Sequence, residues 1–406
     1  MTAEVGEGQQ RGFKAAGTGF MVAGSLIGAV GAYVFQAYGA RAVGPDGFAP
    51  VSVLWTVFFI LATLLLVPVE QYVTREVASG RKAIPHDLKA ATVMAVIGAL
   101  LGGAFVWFSL DDWFEGDPQY VAQIALLMVG YALLFTGKGV LAGSRRFTEV
   151  GWVMVVETIV RLLIGVLVIQ VALGASALGW AMVAGGFSAL ALRWWRRDTG
   201  ERRATHDPAA RFLWGYVGGT ASSQILLAAA PIAVAVLGGS PALISITFVT
   251  FTLFRAPMTL IFALQGRLLP YLVGLARDRD TAQLSRIART VVFGGMALAG
   301  LGGVVGWFVG PEVVALLYGD QFMPSSLVAM LAASGVMAAA AAQITSQVLV
   351  AEGRTGTLSM AWFGGLVVGV LILVLVGGAV ESRVATAFAS GEFAALGLMG
   401  VLATRR

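Results

Sequence analysis

Residues 151–170 read GWVMVVETIVRLLIGVLVIQ, an apolar run of membrane length with Glu157 and Arg161 near its middle. A helix needs about 20 apolar residues to cross the hydrocarbon core of a bilayer. Charged side chains at that depth are costly, so they usually face protein or a water-filled cavity. The four-residue spacing places both charges on one helix face, with the acid N-terminal to the base. The run therefore predicts a membrane-spanning helix that carries an ion pair.

The composition of the whole chain is that of a polytopic membrane protein. Of its 406 residues, 58% are hydrophobic and only 12% are charged, whereas a soluble domain carries about 25% charged residues. The net charge of +5 does not indicate a nucleic-acid partner, because the basic residues cluster in short loops between apolar runs. Cysteine is absent, which excludes disulfides, thiolate metal sites and cysteine nucleophiles. We expect no enzyme activity, no cofactor and no metal site.

Apolar runs predict twelve transmembrane helices, which we number one to twelve in chain order. They lie at about Lys14–Tyr38, Pro50–Glu70, Leu88–Leu110, Tyr120–Leu141, Val150–Val171, Ala175–Trp195, Phe212–Leu237, Ala242–Leu264, Leu284–Val309, Ser325–Val350, Leu358–Gly377 and Arg383–Leu402. Arginine and lysine concentrate in alternate loops, so the positive-inside rule places both termini in the cytoplasm. We therefore expect an all-α, multi-pass protein of the inner (cytoplasmic) membrane.

The chain divides into two predicted six-helix lobes on either side of an arginine-rich loop. The first lobe covers residues 1–195, the cytoplasmic linker residues 196–211 and the second lobe residues 212–406. Short motifs recur in the same order in both lobes: Gly102 and Trp107 in the first correspond to Gly302 and Trp307 in the second. Because each lobe has an even number of helices, the repeats share one orientation in the membrane, an arrangement in which substrate binds between the halves.

Ionisable residues inside the apolar runs are the candidate site residues. The candidates for substrate contact are Arg161, Arg255, Glu157, Arg267 and Lys138, and those for coupling or gating are Glu157, Glu392, Glu70 and Arg75. Arginine suits a phosphate-bearing substrate, because its planar guanidinium donates two hydrogen bonds at once.

Each of these residues also has a structural interpretation. Glu157 and Arg161 could be a self-neutralising pair with no role in transport. The side chains of Lys138, Glu70 and Arg267 could extend to the membrane surface, and Arg255 could pair with an acid from another helix, such as Glu392.

Three prolines are candidate hinges. Pro68, Pro231 and Pro257 lie within or at the ends of predicted helices two, seven and eight. Each removes a backbone donor and can kink its helix. Kinks beside a cavity predict hinges for alternating access, although static proline kinks are also common in membrane helices.

Residues 33–76 read YVFQAYGARAVGPDGFAPVSVLWTVFFILATLLLVPVEQYVTRE. An aromatic helix end, the pattern A-R-x-x-G-P-x-x-F and a long apolar helix ending in P-x-E-x-x-x-x-R resemble Wzx-type polysaccharide biosynthesis proteins. These are flippases of the multidrug/oligosaccharidyl-lipid/polysaccharide (MOP) exporter superfamily. The segment from Gly310 to Phe322 is similar to that superfamily's turn between helices nine and ten.

The resemblance implies two lobes that alternate their openings and move a lipid-linked glycan, with undecaprenyl diphosphate as the carrier, from the inner to the outer leaflet. The expected partners are this substrate, the lipid bilayer, a polysaccharide polymerase and glycosyltransferases. Cavity arginines recur in the family, and Arg161 and Arg255 are similar to them in depth.

Two other functions stay open. A cation-coupled drug or metabolite exporter of the same fold needs a buried carboxylate in the first lobe, often on helix one, and the apolar part of helix one has none. Glu157 could substitute for it, but the neighbouring Arg161 would discourage cationic cargo. A non-transporting scaffold of a glycan-assembly complex is the other alternative, and charges of helix five packed in a dry interface would support it.

Overall fold

The computed structural model describes residues 3–78, 85–171, 174–188, 190 and 221–404. Within these ranges the side chains of residues 3–18, 85–88, 259, 260, 262–267 and 270 are not described. Helix accounts for nearly all of the described backbone. The predicted linker, residues 196–211, lies outside the described residues.

The helices are labelled α1 to α14 in chain order. They are α1 (Ala3–Leu61), α2 (Val67–Ala78), α3 (Pro85–Phe108), α4 (Leu110–Trp113), α5 (Gln119–Gly143), α6 (Phe147–Gln170), α7 (Ser176–Phe187), α8 (Ala230–Val236), α9 (Pro241–Phe254), α10 (Met258–Arg277), α11 (Thr281–Tyr318), α12 (Ser326–Ala351), α13 (Thr355–Leu375) and α14 (Val380–Thr404). A π-helical turn, Ala62–Leu66, joins α1 to α2, and residues 221–228 are also helical.

Eight helical stretches within the described ranges are long and apolar enough to cross a membrane. The chain is therefore a multi-pass, all-α membrane protein, as predicted. Predicted helices six and seven extend beyond the described residues, so the number of twelve and the cytoplasmic termini stay predictions.

Predicted helices one and two meet at Gly44 inside α1. Gly44 has φ +73° and ψ 172°, whereas the residues on both sides are helical. Positive φ costs glycine little because it has no Cβ, and the proline that follows suits the first position of a new helix, where no backbone donor is needed. The predicted helices leave a connection between Tyr38 and Pro50, and this connection is too long, because one residue makes the break.

The described residues cluster into two compact units. The first lies within Met1–Ala42 and Val57–Gly215, and the second within Val43–Thr56 and Tyr216–Arg406. Residues 43–56, which the predicted first lobe includes, thus cluster with the second unit. Within that unit the Phe48 ring packs on Phe248, with centroids 6.2 Å apart.

In the first unit, α5 is the central helix and packs against α2, α3 and α7. Glycines allow these helices to approach closely: a Cβ on Gly139 would lie 2.9 Å from the carbonyl oxygen of Glu70. In the second unit, α12 packs against α11 and α14, and α13 packs against α14. Its core is rich in alanine and includes Ala338, Trp362 and Leu396.

The turn before α12 lies later than the sequence resemblance placed it. The helix α11 continues through Pro311 to Tyr318, and the turn begins at Gly319, which has φ +108°. Tertiary packing holds α11 together at the proline, because a Cβ on Gly310 would lie 2.8 Å from the Cβ of Ala329 on α12.

Candidate functional site

Glu157 and Arg161 on α6 form the predicted ion pair. The Arg161 Nη1 donates to Glu157 Oε1 at 2.5 Å, and the Tyr131 hydroxyl from α5 donates to the same oxygen at 2.6 Å. Arg161 Nη1 also lies 3.3 Å from the Tyr131 hydroxyl oxygen. The Thr158 hydroxyl donates to the other oxygen, Glu157 Oε2, at 3.2 Å. The cluster thus gives each carboxylate oxygen a donor.

Protein encloses this cluster within the first unit. Glu157 is 8% exposed and Arg161 is 5% exposed. The guanidinium carbon of Arg161 lies 5.8 Å from the centroid of the Phe35 ring on α1. A Cβ on Gly185 of α7 would lie 3.2 Å from Glu157 Oε1, so only glycine fits there without a shift. Such closure satisfies the requirement that a buried charge be paired and hydrogen-bonded.

Lys138 and Glu70 form a second ion pair in the first unit. Lys138 Nζ on α5 lies 2.9 Å from Glu70 Oε2 on α2, with side-chain exposures of 14% and 17%. Nζ also lies 4.6 Å from the centroid of the Phe135 ring, a cation–π distance. Tyr131 and Lys138 are two turns apart on α5, so this helix anchors both charged groups.

The hinge candidates Pro231 and Pro257 lie at real helix breaks in the second unit. The helical stretch that ends at residue 228 resumes as α8, with Pro231 in its first turn. Predicted helix eight is not continuous: α9 ends at Phe254 and α10 begins at Met258, directly after Pro257. Proline has no N–H and its ring clashes with the carbonyl four residues earlier, which explains both interruptions.

Arg255 holds the two breaks together. Its Nη1 donates to the carbonyl of Leu227 at 3.4 Å, the acceptor that Pro231 cannot use four residues later. Its Nε donates to the carbonyl of Phe251 at 3.2 Å, and its Nη2 donates to the Thr252 hydroxyl at 3.1 Å. A cation at this position also interacts favourably with the C-terminal end of α9.

Pro68 lies just after the π-helical turn that joins α1 to α2. The clash of a proline ring falls on the carbonyl four residues earlier, here that of Leu64 within the turn. A π turn is wider than an α turn, so the helix continues through Pro68 instead of breaking.

The remaining candidates lie apart from these groups. Glu392, on α14, is 0% exposed, and neither of its carboxyl oxygens has a hydrogen-bond partner among the described residues. The expected pairing of Arg255 with Glu392 is therefore not present. Arg75 is exposed in the last turn of α2. Arg267 belongs to α10, and its side chain lies outside the described residues.

Sequence reasoning missed Tyr131 and the pairing of Lys138 with Glu70. A tyrosine in an apolar run was the available signal for Tyr131, because a buried hydroxyl needs a partner. Nothing in the sequence indicated that Lys138 and Glu70, 68 residues apart, would meet.

No protein-family model matches the chain. Among its relatives, an uncharacterized protein of Mycobacterium tuberculosis strain H37Rv is 27% identical over 390 residues, which cover 88% of this chain and 85% of the relative. A second uncharacterized protein of that strain is 27% identical over 395 residues, covering 90% and 88%. Both likenesses span nearly the whole length of each chain.

Solved structures similar to this chain are transporters. A multidrug resistance MATE family transporter of the MOP superfamily, in an inward-facing conformation, matches with a TM-score of 0.72 and 12% identity over 93% of both chains. An outward-facing structure described in the same words matches with a TM-score of 0.61 and 13% identity over 95% of both chains. A Vibrio cholerae MATE transporter matches with a TM-score of 0.57 and 14% identity over 97% of this chain and 96% of that one. The chain therefore has the fold of the MATE transporters of the MOP superfamily.

Proposed function

We propose that the chain flips a lipid-linked oligosaccharide, carried on undecaprenyl diphosphate, across the cytoplasmic membrane during the synthesis of a cell-surface polysaccharide. The MATE fold indicates membrane transport. The resemblance of residues 33–76 to polysaccharide flippases supports the class of cargo. A glycosyltransferase and a polymerase would supply the cargo and consume it.

The observation that carries the choice of an anionic cargo is the state of the two candidate carboxylates of the first unit, Glu157 and Glu70. Glu157 holds Arg161 and Glu70 holds Lys138, each through a direct ion pair. A cationic drug or a coupling cation would have to displace an arginine or a lysine from either acid. In the second unit, the partly buried Arg255 offers a planar donor suited to a diphosphate.

One feature favours each alternative. The buried carboxyl of Glu392, which has no hydrogen-bond partner among the described residues, favours a cation-coupled exporter of a drug or metabolite, although it lies in the second unit and not in the first lobe. The enclosed pair on α6 is what a non-transporting scaffold of a glycan-assembly complex would need.

Reconstitution separates the three functions. Purified protein in liposomes receives a fluorescent polyprenyl-diphosphate disaccharide, and an impermeant quencher reports how fast label reaches the outer leaflet. We expect rapid exchange of this lipid and no uptake of ethidium. Movement of ethidium without the lipid would identify a drug exporter, and movement of neither would identify a scaffold.

Variants of Arg255 test the recognition of the diphosphate. Replacing Arg255 by lysine keeps the charge but loses the planar donor, and we expect flipping to slow about tenfold or more, the loss of one charge-assisted hydrogen bond of about 1.5–3 kcal/mol. Arg289→Lys is the matched control, because Arg289 is exposed and bonds only within its own helix turn among the described contacts.

A further inference from the structure

Glu392 is an acid buried without a partner in the membrane-spanning part of the second unit. It lies midway along α14, one of the candidate spans, with no exposed surface. In the part of the chain that the structure describes, neither carboxyl oxygen has a hydrogen-bond partner. An ionisable group in this situation is expensive to keep and commonly serves transport.

Within the described ranges, the helices packed against α14 offer no charged side chain at the level of Glu392. They are α8, α11, α12 and α13, together with α9 through Phe251 and the segment 221–228 through Leu226. Between their bounds, α8, α9, α12, α13 and the segment 221–228 contain no ionisable residue. The charged residues of α11 lie near its ends, at Arg286, Arg289 and Glu312. On α14 itself, Phe388 and Leu396 lie one turn to either side of Glu392 and are apolar and buried.

An ionised carboxylate there would be an isolated charge in an apolar interior, so this arrangement holds the neutral acid. The hydroxyl of that neutral acid has no acceptor among the described side chains and backbone groups either. Packing therefore gives no reason for an acid at this position, since an apolar side chain would suit the site better. A second conformation in which the carboxylate meets a cation would explain it.

Two paths of direct contact connect the surroundings of Glu392 to Arg255. A Cβ on Gly391 would lie 2.7 Å from the Leu226 side chain. The carbonyl of Leu227, the residue after Leu226, accepts a hydrogen bond from Arg255. The Phe388 ring packs edge-on against Phe251, with centroids 5.0 Å apart, and the Phe251 carbonyl also accepts from Arg255. Arg267 on α10 is the other second-unit arginine near the end of a predicted span, and its side chain lies outside the described residues.

The segments that carry Arg255 and its acceptors are built to bend. Pro231 interrupts the backbone hydrogen bond to the Leu227 carbonyl, which Arg255 bonds, and Pro257 interrupts the helix two residues after Arg255. Helices bend where such bonds are missing. Bending at these breaks would exchange the carbonyl acceptors of Arg255 for a carboxylate.

We propose that Glu392 carries the proton that drives transport. The acid is protonated in the conformation described, and it releases its proton when Arg255 moves beside it. In that step the carboxyl O–H bond breaks, the proton passes to water, and its electron pair stays on the carboxylate opposite the guanidinium. This proposal rests on the proposed transport function and supplies its energy source.

Distance measurements between spin labels test the switch without any cargo. The chain has no cysteine, so Asp112→Cys in the short helix α4 and Met323→Cys in the turn before α12, both exposed positions, give a single labelled pair. We expect the population of inter-label distances to shift as the pH of the proteoliposomes is raised. Glu392→Gln, a neutral isostere, should lose this shift and keep the low-pH population at every pH. Glu392→Leu should lose the shift as well, and its folding shows whether an apolar side chain is accepted at this buried position.

The matched control is Glu381→Gln, the same chemical change in the first turn of the same helix, which should respond to pH as the unmodified protein does. Arg255→Ala should lose the pH-dependent shift as Glu392→Gln does. A full pH response in Glu392→Gln would overturn the proposal. A full pH response in Arg255→Ala would overturn the assignment of Arg255 as the cation that meets the Glu392 carboxylate. A normal pH response without flipping of the glycan lipid would count against the proposed function alone. Flipping that ignores both pH and Glu392→Gln would count against the proton switch alone.

Discussion

Replacement of Arg161 by methionine should destabilise the first unit strongly. Methionine keeps most of the side-chain volume against the Phe35 ring but leaves the Glu157 carboxylate buried without a cation. Removing one partner of a buried pair costs about 3–5 kcal/mol. The Tyr131 and Thr158 hydroxyls still donate to the carboxylate. We therefore expect a loss of stability at the lower end of this range, about 3 kcal/mol.

The double replacement should recover most of that loss. Glu157→Leu with Arg161→Met removes both charges and leaves two hydroxyls without their acceptor, at a cost of about 1–2 kcal/mol. Adding Tyr131→Phe removes one of those hydroxyls and should bring stability close to that of the unmodified protein. The two charges should therefore be strongly non-additive in a double-mutant cycle.

Melting in detergent micelles, followed by tryptophan fluorescence at one scan rate, measures the series. A change of 1 kcal/mol shifts the melting temperature of a unit of this size by about 2–4 °C, so the single variant should melt about 6–12 °C lower. A common scan rate is needed because membrane proteins often unfold irreversibly. A single variant that melts with the unmodified protein would show that the pair does not stabilise the fold. Equal losses in the single and double variants would refute the charge argument.

Three further variants probe other contacts by the same melting assay. Gly24→Ala should destabilise the first unit by about 1–3 kcal/mol, because its Cβ would lie 2.7 Å from the backbone of α6. The control Gly19→Ala, whose Cβ would meet open space, should not destabilise it. Equal effects of the two variants would refute close packing at Gly24. Arg255→Ala should cost about 1 kcal/mol less in a Pro231→Ala background, because alanine returns the N–H that satisfies the carbonyl now held by the arginine; simple additivity would contradict this. Lys138→Ala should lower the stability of the first unit by about 1–2 kcal/mol, a value between those for exposed and for buried ion pairs. A loss of several kcal/mol would mean that Glu70 is more deeply buried than its side-chain exposure indicates.

The membrane helices could be predicted from the sequence because lipid imposes length and apolarity on them. The helices α5 and α6 match predicted helices four and five to within three residues at each end. Breaks were harder to predict, because proline alone does not determine them. Pro257 separates two helices, whereas α11 continues through Pro311. The difference lies in the contacts of each segment. Before Pro257 the backbone turns, with the Ala256 N–H donating to the Leu253 carbonyl, whereas tight packing of Gly310 on α12 holds the segment around Pro311 helical.

The candidate site was predictable only where its members share a helix. Four-residue spacing gave the pair of Glu157 and Arg161, and the structure confirms that pair. The partners from other helices, Tyr131 and the ion pair of Lys138, depend on the register between helices, which a single sequence does not contain. For the same reason, the sequence did not reveal that Glu392 has no hydrogen-bond partner among the residues that the structure describes.

Residues 43–56 impose an order on assembly in the membrane. Phe48, Val51 and Leu54 are fully buried, and they belong to the core of the second unit although they are synthesised before most of the first. This segment is inserted into the bilayer before α9 and the later helices, against which it packs, have been synthesised. A fragment that starts at the arginine-rich linker would lack part of its own core, so the two halves of the gene do not encode two separately foldable halves of the protein.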